Sequence, residues 1–174
     1  MNPTLRSAGL TCLKLLNEAG YEAWWVGGCV RDTLLGRPVQ DVDVTTSALP
    51  EQTIVCFRNA GYPVIPTGLK HGTVTVMIQD IPIEVTTYRS DSDYQDHRHP
   101  ESVRFTRSLW EDCARRDFTI NALCWHPDLG LRDYFHGQRD LKNKVIACIG
   151  DPYQRFDEDA LRILRALRFA STLG

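Results

Sequence analysis

Asp41-Val42-Asp43-Val44-Thr45 is the stretch whose reading decides the fold. Its period-two alternation predicts a strand over 41–45, and alternate side chains of a strand share a face. Val42 and Val44 then enter a core, while Asp41 and Asp43 emerge together, roughly 6–7 Å apart. Asp is a poor strand former, and two carboxylates on one face repel each other unless a cation lies between them. Magnesium suits such a pair, because it takes oxygen ligands and leaves room for substrate phosphates. Two metal ions held this way can stabilise the attacking and leaving oxygens of a phosphoryl transfer. The same D-x-D spacing also serves sugar-nucleotide transferases, and a solvated strand face can carry it with no ligand.

Upstream, Gly27-Gly28-Cys29-Val30-Arg31-Asp32 joins a predicted strand over 22–26 to a predicted helix over 29–35. Two glycines let a backbone approach a phosphate closely, a helix N-terminus aims N–H groups at the anion, and Arg31 adds a fork of donors. The turn is neither a Walker loop nor G-x-G-x-x-G, and a tight turn alone also calls for glycine. Its weight comes from the D-x-D a dozen residues later. Downstream, Thr73–Ile78 and Ile81–Thr87 alternate about Gln79-Asp80 and predict a hairpin. Glu84 in its second strand is either a third carboxylate for the acidic pair or an exposed strand residue.

Two later segments carry polar chemistry. In Arg115-Arg116-Asp117-Phe118-Thr119-Ile120-Asn121-Ala122, Asp117 and Asn121 offer acceptors and donors for ribose hydroxyls, and Arg116 a cation for phosphate. A salt-bridged helix end is the plainer alternative. From Asp157 the chain reads as one helix to its end, on which Asp159, Arg162, Arg165 and Arg168 step round by about −60° each and form a polar stripe opposite Ala160, Ile163, Leu164 and Leu167. The stripe is either a solvated charged face or a set of guanidiniums for phosphates, with Asp159 and Arg162 facing a base edge.

The rest of the chain sets bounds. It has 174 residues, 43% hydrophobic, with a net charge of −2, which is enough for one packed domain and too little charge to hold nucleic acid globally. No run of about 18 apolar residues is present and no secretory signal is visible, so no membrane span is expected. Cys12, Cys29, Cys56, Cys113, Cys124 and Cys148 form no C-x-x-C pair, which fits buried thiols in a reducing, cytoplasmic setting. Helices are predicted over 3–19, from Pro50 to near Gly61 and from Ser108, with a second hairpin about Asp128–Gly130. Trp24-Trp25 reads as one core and one surface residue. The polar stretch 89–106 reads as a long loop, and His97 and His99 in it lack a third metal ligand.

Taken in order, Gly-Gly-Cys-Val-Arg-Asp (27–32), Asp-Val-Asp-Val-Thr-Thr (41–46), Glu-Val-Thr-Thr-Tyr-Arg (84–89), Arg-Arg-Asp-Phe-Thr-Ile-Asn-Ala (115–122) and Glu-Asp-Ala-Leu-Arg (158–162) resemble the class II tRNA nucleotidyltransferases, the CCA-adding enzymes. Bacterial poly(A) polymerases share much of this pattern. The resemblance implies an α/β (α+β) fold: a polymerase β-like nucleotidyltransferase head, a small mixed sheet flanked by helices, over 1–145. Residues 146–174 would begin a helical neck, with the family's body and tail absent. It further implies that Asp41 and Asp43 hold catalytic Mg2+, that Gly28 and Arg31 bind phosphates, and that Arg116, Asp117 and Asn121 hold phosphate and ribose. Asp159 and Arg162 would pair with the incoming base, assisted by Arg165 and Arg168. The implied substrates are ATP, CTP and the tRNA 3′ end, with no membrane partner. Asp93–Glu101 resembles the family's loop for adding A after C, and an A-adding enzyme or a nucleotide-binding fragment without turnover are the alternatives.

Overall fold

The structure, a computed structural model, describes residues 1–91 and 103–173. Helix α1 (Pro3–Glu18) starts where the Asn2 side chain accepts the Thr4 N–H at 2.9 Å and Pro3 fills a position that needs no donor. Strand β1 (Ala23–Val26) runs through the glycine turn into α2 (Gly28–Leu34), and β2 (Asp43–Thr46) leads to α3 (Pro50–Asn59). Strands β3 (Val64–Gly68), β4 (Thr73–Ile78) and β5 (Ile81–Thr87) follow as a meander. Gln79 and Asp80 take φ of 53° and 63° in its tight turn, the left-handed pair that matches the twist of a two-residue hairpin. Short strands β6 (Arg89–Asp91) and β7 (Val103–Phe105) pair with each other. Then come α4 (Leu109–Ala114), β8 (Cys124–His126), β9 (Gly130–Arg132), α5 (Gly137–Lys142), α6 (Pro152–Glu158) and α7 (Leu161–Leu173).

Seven strands form one mixed sheet in the order β3-β4-β5-β2-β1-β8-β9. Only the central β2–β5 pair is parallel; the other pairs are antiparallel. Trp25, Val44, Val74, Val76, Ile83 and Val85 meet Leu5, Leu13, Leu16 and Phe57 of α1 and α3 in the main core. Trp24 and Val26, pointing the other way from β1, join Tyr88, Leu109, Cys113 and Cys124 in a second cluster. Both tryptophans are therefore buried, which corrects the expectation that one lies on the surface. The sheet is covered on both faces at β1, so period two does not separate core from solvent there. Cys12, Cys29, Cys113 and Cys124 are buried, and all six cysteines are free thiols.

Three other expectations change. Strand β2 begins at Asp43, not Asp41. Its partner β1 ends at Val26, opposite Asp43, because the chain turns at Gly27, and the parallel register with β5 would set Asp41 against Pro82, which has no N–H to give. Strand β3 was not anticipated: Pro66 lies within it, which an edge strand tolerates, and its pairing with β4 shifts register between Ile65 and Gly68. The C-terminal helix is two helices. The first starts at Pro152, with the Asp151 carboxylate accepting the Tyr153 N–H at 3.0 Å. Asp159 is extended, at φ −147° and ψ 101°, and its carboxylate accepts the Leu161 N–H at 3.0 Å, so it opens α7 instead of continuing α6. The stretch 89–106 is bracketed by β6 and β7. His97, His99 and Asp93–Glu101 lie outside the described residues.

Candidate active site

The sheet's central strands and the turn after β1 deliver the acidic and glycine motifs to one place. Gly27 ends β1 at φ 77° and ψ −131°, a conformation close to glycine's own, and its carbonyl accepts the Arg31 N–H at 3.0 Å to open α2. That turn, Asp41 and Asp43 at the mouth of β2, and the Arg116-Asp117…Asn121 segment border one cavity of about 520 Å³, which α7 closes with Arg165, Arg168 and Phe169. Nine of the eleven site residues expected from sequence thus line a single space: Gly28, Arg31, Asp41, Asp43, Arg116, Asp117, Asn121, Arg165 and Arg168.

Asp159 and Arg162 do not line it. Arg162 is buried, and its Nη1 donates to the Glu158 carboxylate at 2.9 Å and to the Arg155 carbonyl at 2.7 Å. The continuous polar stripe therefore does not exist: its first member lies between two helices and its second is turned into an Arg155–Glu158–Arg162 cluster. Arg155 in turn donates to the carbonyls of Arg115 and Arg116 at 2.6 and 2.8 Å, tying this cluster to the wall of the cavity.

Within the cavity the polar groups form a connected chain. Arg31 gives Nε and Nη2 to the Asp32 carboxylate, both at 2.9 Å, and Nη1 to Asn121 Oδ1 at 2.7 Å. Asn121 Nδ2 donates to Asp117 Oδ1 at 3.1 Å, and Asp117 Oδ2 accepts from Arg165 Nε and Nη2, each at 2.7 Å. Arg31 retains two of its five N–H donors for another acceptor. The ribose and phosphate groups assigned to this segment are thus already hydrogen-bonded to each other, and a ligand enters by using their remaining donors and lone pairs.

The acidic side is the strained one. Burial pushes the Asp43 carboxyl up to about 6, and the neighbouring charges of Asp41 and Glu84 push the same way against the pull of Arg116. Glu84 stands beside Asp43 in the parallel register of β5 and β2. Acceptor oxygens gathered with a surplus of negative charge fit a hard divalent cation. Across the cavity Arg116 is fixed from behind: its Nη2 donates to Asp112 Oδ2 at 3.1 Å, and its buried Nε has no hydrogen-bond partner. Burial alone would lower the Arg116 pKa, but the Asp112 charge holds it above its ordinary value.

Asp112 was missed as a functional residue. It is fully buried and accepts from Thr45 Oγ1 at 2.9 Å, from Arg115 at 2.9 and 3.0 Å, and from Arg116. It thereby joins β2 to the arginine segment. The spacing Asp112-x-x-Arg115-Arg116, helical neighbours at i+3 and i+4, was the available signal. Asp32, which pins Arg31, was hidden by adjacency, since i and i+1 on a helix do not ordinarily face each other.

A mixed sheet that presents paired carboxylates opposite a glycine turn and a group of guanidiniums defines the head of a nucleotidyltransferase. The chain belongs to the poly(A) polymerase head domain family, whose pattern matches residues 23–147. It is 49% identical to a CCA-adding enzyme of Geobacillus thermodenitrificans over 174 residues, all of this chain and 42% of that one. It is 52% identical to a CCA-adding enzyme of Oceanobacillus iheyensis over 162 residues, 93% of this chain and 40% of that one. The crystal structure of the Bacillus stearothermophilus CCA-adding enzyme in complex with CTP superposes with a TM-score of 0.85 at 42% identity, covering 98% of this chain and 40% of that one. A tRNA nucleotidyltransferase complexed with a primer tRNA and an incoming ATP analogue gives 0.71 at 39% identity, over 93% of this chain and 45% of that one. The chain therefore spans about two fifths of the length of the curated relatives it matches. Among the described residues no helix is long and apolar enough to cross a membrane.

Proposed function

We propose that this chain is the catalytic head and the start of the neck of a template-independent RNA nucleotidyltransferase that adds C and A, from CTP and ATP, to the 3′ end of tRNA. Residues 1–145 form the head and 146–174 begin the neck. The observation that carries the reading is the single cavity in which Asp41 and Asp43 face Gly28, Arg31, Arg116 and Arg168. Relatives covering almost the whole chain are CCA-adding enzymes, which favours that activity over addition of A alone. Free, largely buried thiols suit a reducing cytoplasm.

In this reading the 3′-hydroxyl of the RNA releases its proton to solvent as its oxygen bonds to the α-phosphorus, the bond from that phosphorus to the bridging oxygen breaks, and pyrophosphate leaves with that bond's electron pair. Asp41 and Asp43 would hold divalent metal ions, for which we propose Mg2+; Glu84 is exposed and does not line the cavity, and among the described residues no third side chain completes a metal-holding group with them. When bound, such ions stabilise the charge on the attacking and leaving oxygens. Gly28 brings its backbone close to the triphosphate, which Arg31, Arg116 and Arg168 neutralise. Asp117 and Asn121 orient the ribose, and Arg165 keeps Asp117 in place. Asp159 and Arg162 would read the base only after rearrangement, since neither lines the cavity: Arg162 would give up its bonds to Glu158 and to the Arg155 carbonyl, and Asp159 its cap on Leu161.

The test is pyrophosphate release with a primer tRNA lacking its terminal CCA. Release with CTP and ATP, matched by incorporation and abolished by Asp41→Ala, is expected. Undiminished release from Asp41→Ala would contradict the assignment.

A further inference from the structure

Phe169 is the one aromatic residue of α7 and is buried, while the exposed Leu164 and Leu167 of the same helix are not. Its ring is surrounded by cations. The guanidinium carbons of Arg31 and Arg168 each lie 5.1 Å from the ring centroid, and that of Arg165 lies 5.7 Å away. Behind it the ring packs edge-on against Phe118, at 5.8 Å and 87°, which fixes its plane from the head. The same side chain borders the polar cavity on one side and an apolar one, with Ile120, Leu141 and Val145, on the other.

Three like charges gathered about one point repel one another, and something must offset that before any anion arrives. Arg31 is answered by Asp32 and Arg165 by Asp117. Among the described residues Arg168 has no carboxylate partner; what it has is the ring. The face of an aromatic ring carries negative potential and attracts guanidinium groups, yet the ring has no net charge and so repels an incoming phosphate far less than a carboxylate would. A leucine of similar bulk would fill the space without that property.

We propose that Phe169 is a positioning residue of the anion-binding wall: its ring gathers Arg31, Arg165 and Arg168, and so links the seating of α7 on the head to affinity for a triphosphate. This rests on the reading of the cavity as a triphosphate site. Phe169 touches no reacting atom. It acts through the three arginines, two supplied by its own helix and one by α2.

The test uses inorganic tripolyphosphate as the probe, titrated calorimetrically into the 174-residue chain, with cytidine as the phosphate-free control. Two replacements are compared with wild type: Phe169→Leu, and exchange of the phenyl ring for its pentafluoro analogue, which keeps the shape and reverses the ring's electrostatics. Tripolyphosphate affinity is expected to fall about tenfold in both, equivalent to about 1.4 kcal/mol, with cytidine binding unchanged. Melting curves identify a fall that comes from unfolding, and if Phe169→Leu melts early the pentafluoro form decides. Wild-type tripolyphosphate affinity in the pentafluoro form, or in a folded Phe169→Leu protein, overturns the proposal and leaves the site reading intact. No tripolyphosphate binding by the wild type itself overturns both.

Discussion

Replacing Asp43 by Asn should make the chain more stable and less able to hold a cation. The carboxyl is driven from its ordinary 3.8 to about 6, first by burial and then by the charges of Asp41 and Glu84. At about 1.4 kcal/mol for each tenfold change in a protonation equilibrium, that rise corresponds to roughly 3 kcal/mol. A group whose folded-state pKa is raised contributes its full stability below the unfolded value, near pH 4. That contribution is lost as pH rises through about 6. Without a cation, ionised Asp43 therefore costs the fold up to about 3 kcal/mol at pH 7.5, and Asp43→Asn removes that cost. The assay is thermal unfolding of both proteins in a chelator at pH 4 and pH 7.5, a comparison that cancels the titration of carboxylates other than Asp41 and Glu84, whose charges act on Asp43. For a chain of this length the melting temperature of Asp43→Asn should exceed that of wild type by about 6–12 °C at pH 7.5, and by little at pH 4. Adding Mg2+ at pH 7.5 should then raise the wild type, through preferential binding to the folded state, and leave Asp43→Asn unmoved. If Asp43→Asn melts lower than wild type at pH 7.5 in chelator, the idea that these carboxylates are crowded for a cation is refuted.

Asp112→Ala should be among the most damaging single changes in the chain. Although burial pushes its carboxyl up, Arg116 and Arg115 hold it below the ordinary range, and its removal leaves two arginines unanswered. A loss of about 3–5 kcal/mol is expected in urea denaturation, and a loss below about 1 kcal/mol would contradict it. In Gly137→Ala the new Cβ runs into the Thr119 carbonyl oxygen, which is backbone and cannot swing away. A cost of about 1–3 kcal/mol should appear as a lower melting temperature, and an unchanged melt would argue against that contact. Arg162→Ala should reduce the preference for CTP and ATP over GTP and UTP in competitive incorporation. Unchanged selectivity would remove Arg162 from base reading.

Much of this architecture is legible in the residues, and the places where it is not have local causes. The hairpin of β4 and β5 follows from clean alternation about Gln79-Asp80, and α1 from Asn2-Pro3 and its leucines. The start of β2 depends on where its partners stop, at Gly27 on one side and Pro82 on the other, which alternation in Asp41–Thr45 does not encode. The break at Asp159 is masked because the spacing of arginines and leucines runs through it unaltered, while an Asp that looks like one more polar position is in fact a cap for Leu161. For the candidate site, residue types announced the chemistry: carboxylates, a glycine turn and arginines. Their mutual commitments did not show. Arg31 is held by Asp32, Arg116 by Asp112 and Arg162 by Glu158, partners only one or four residues away, but each arginine has several such neighbours, and the contacts that select among them, Arg31 with Asn121 and Arg165 with Asp117, join segments far apart in sequence.

The central claim is that one cavity, between the mouth of β2 and α7, takes a nucleoside triphosphate with a divalent cation. Equilibrium titration of CTP, ATP, GTP and UTP into the chain, with and without Mg2+, tests it directly, with Asp41→Ala as the control. The account predicts binding of CTP and ATP that requires Mg2+ and is lost in Asp41→Ala. Triphosphate binding that ignores both Mg2+ and Asp41, or no binding at all, would contradict it.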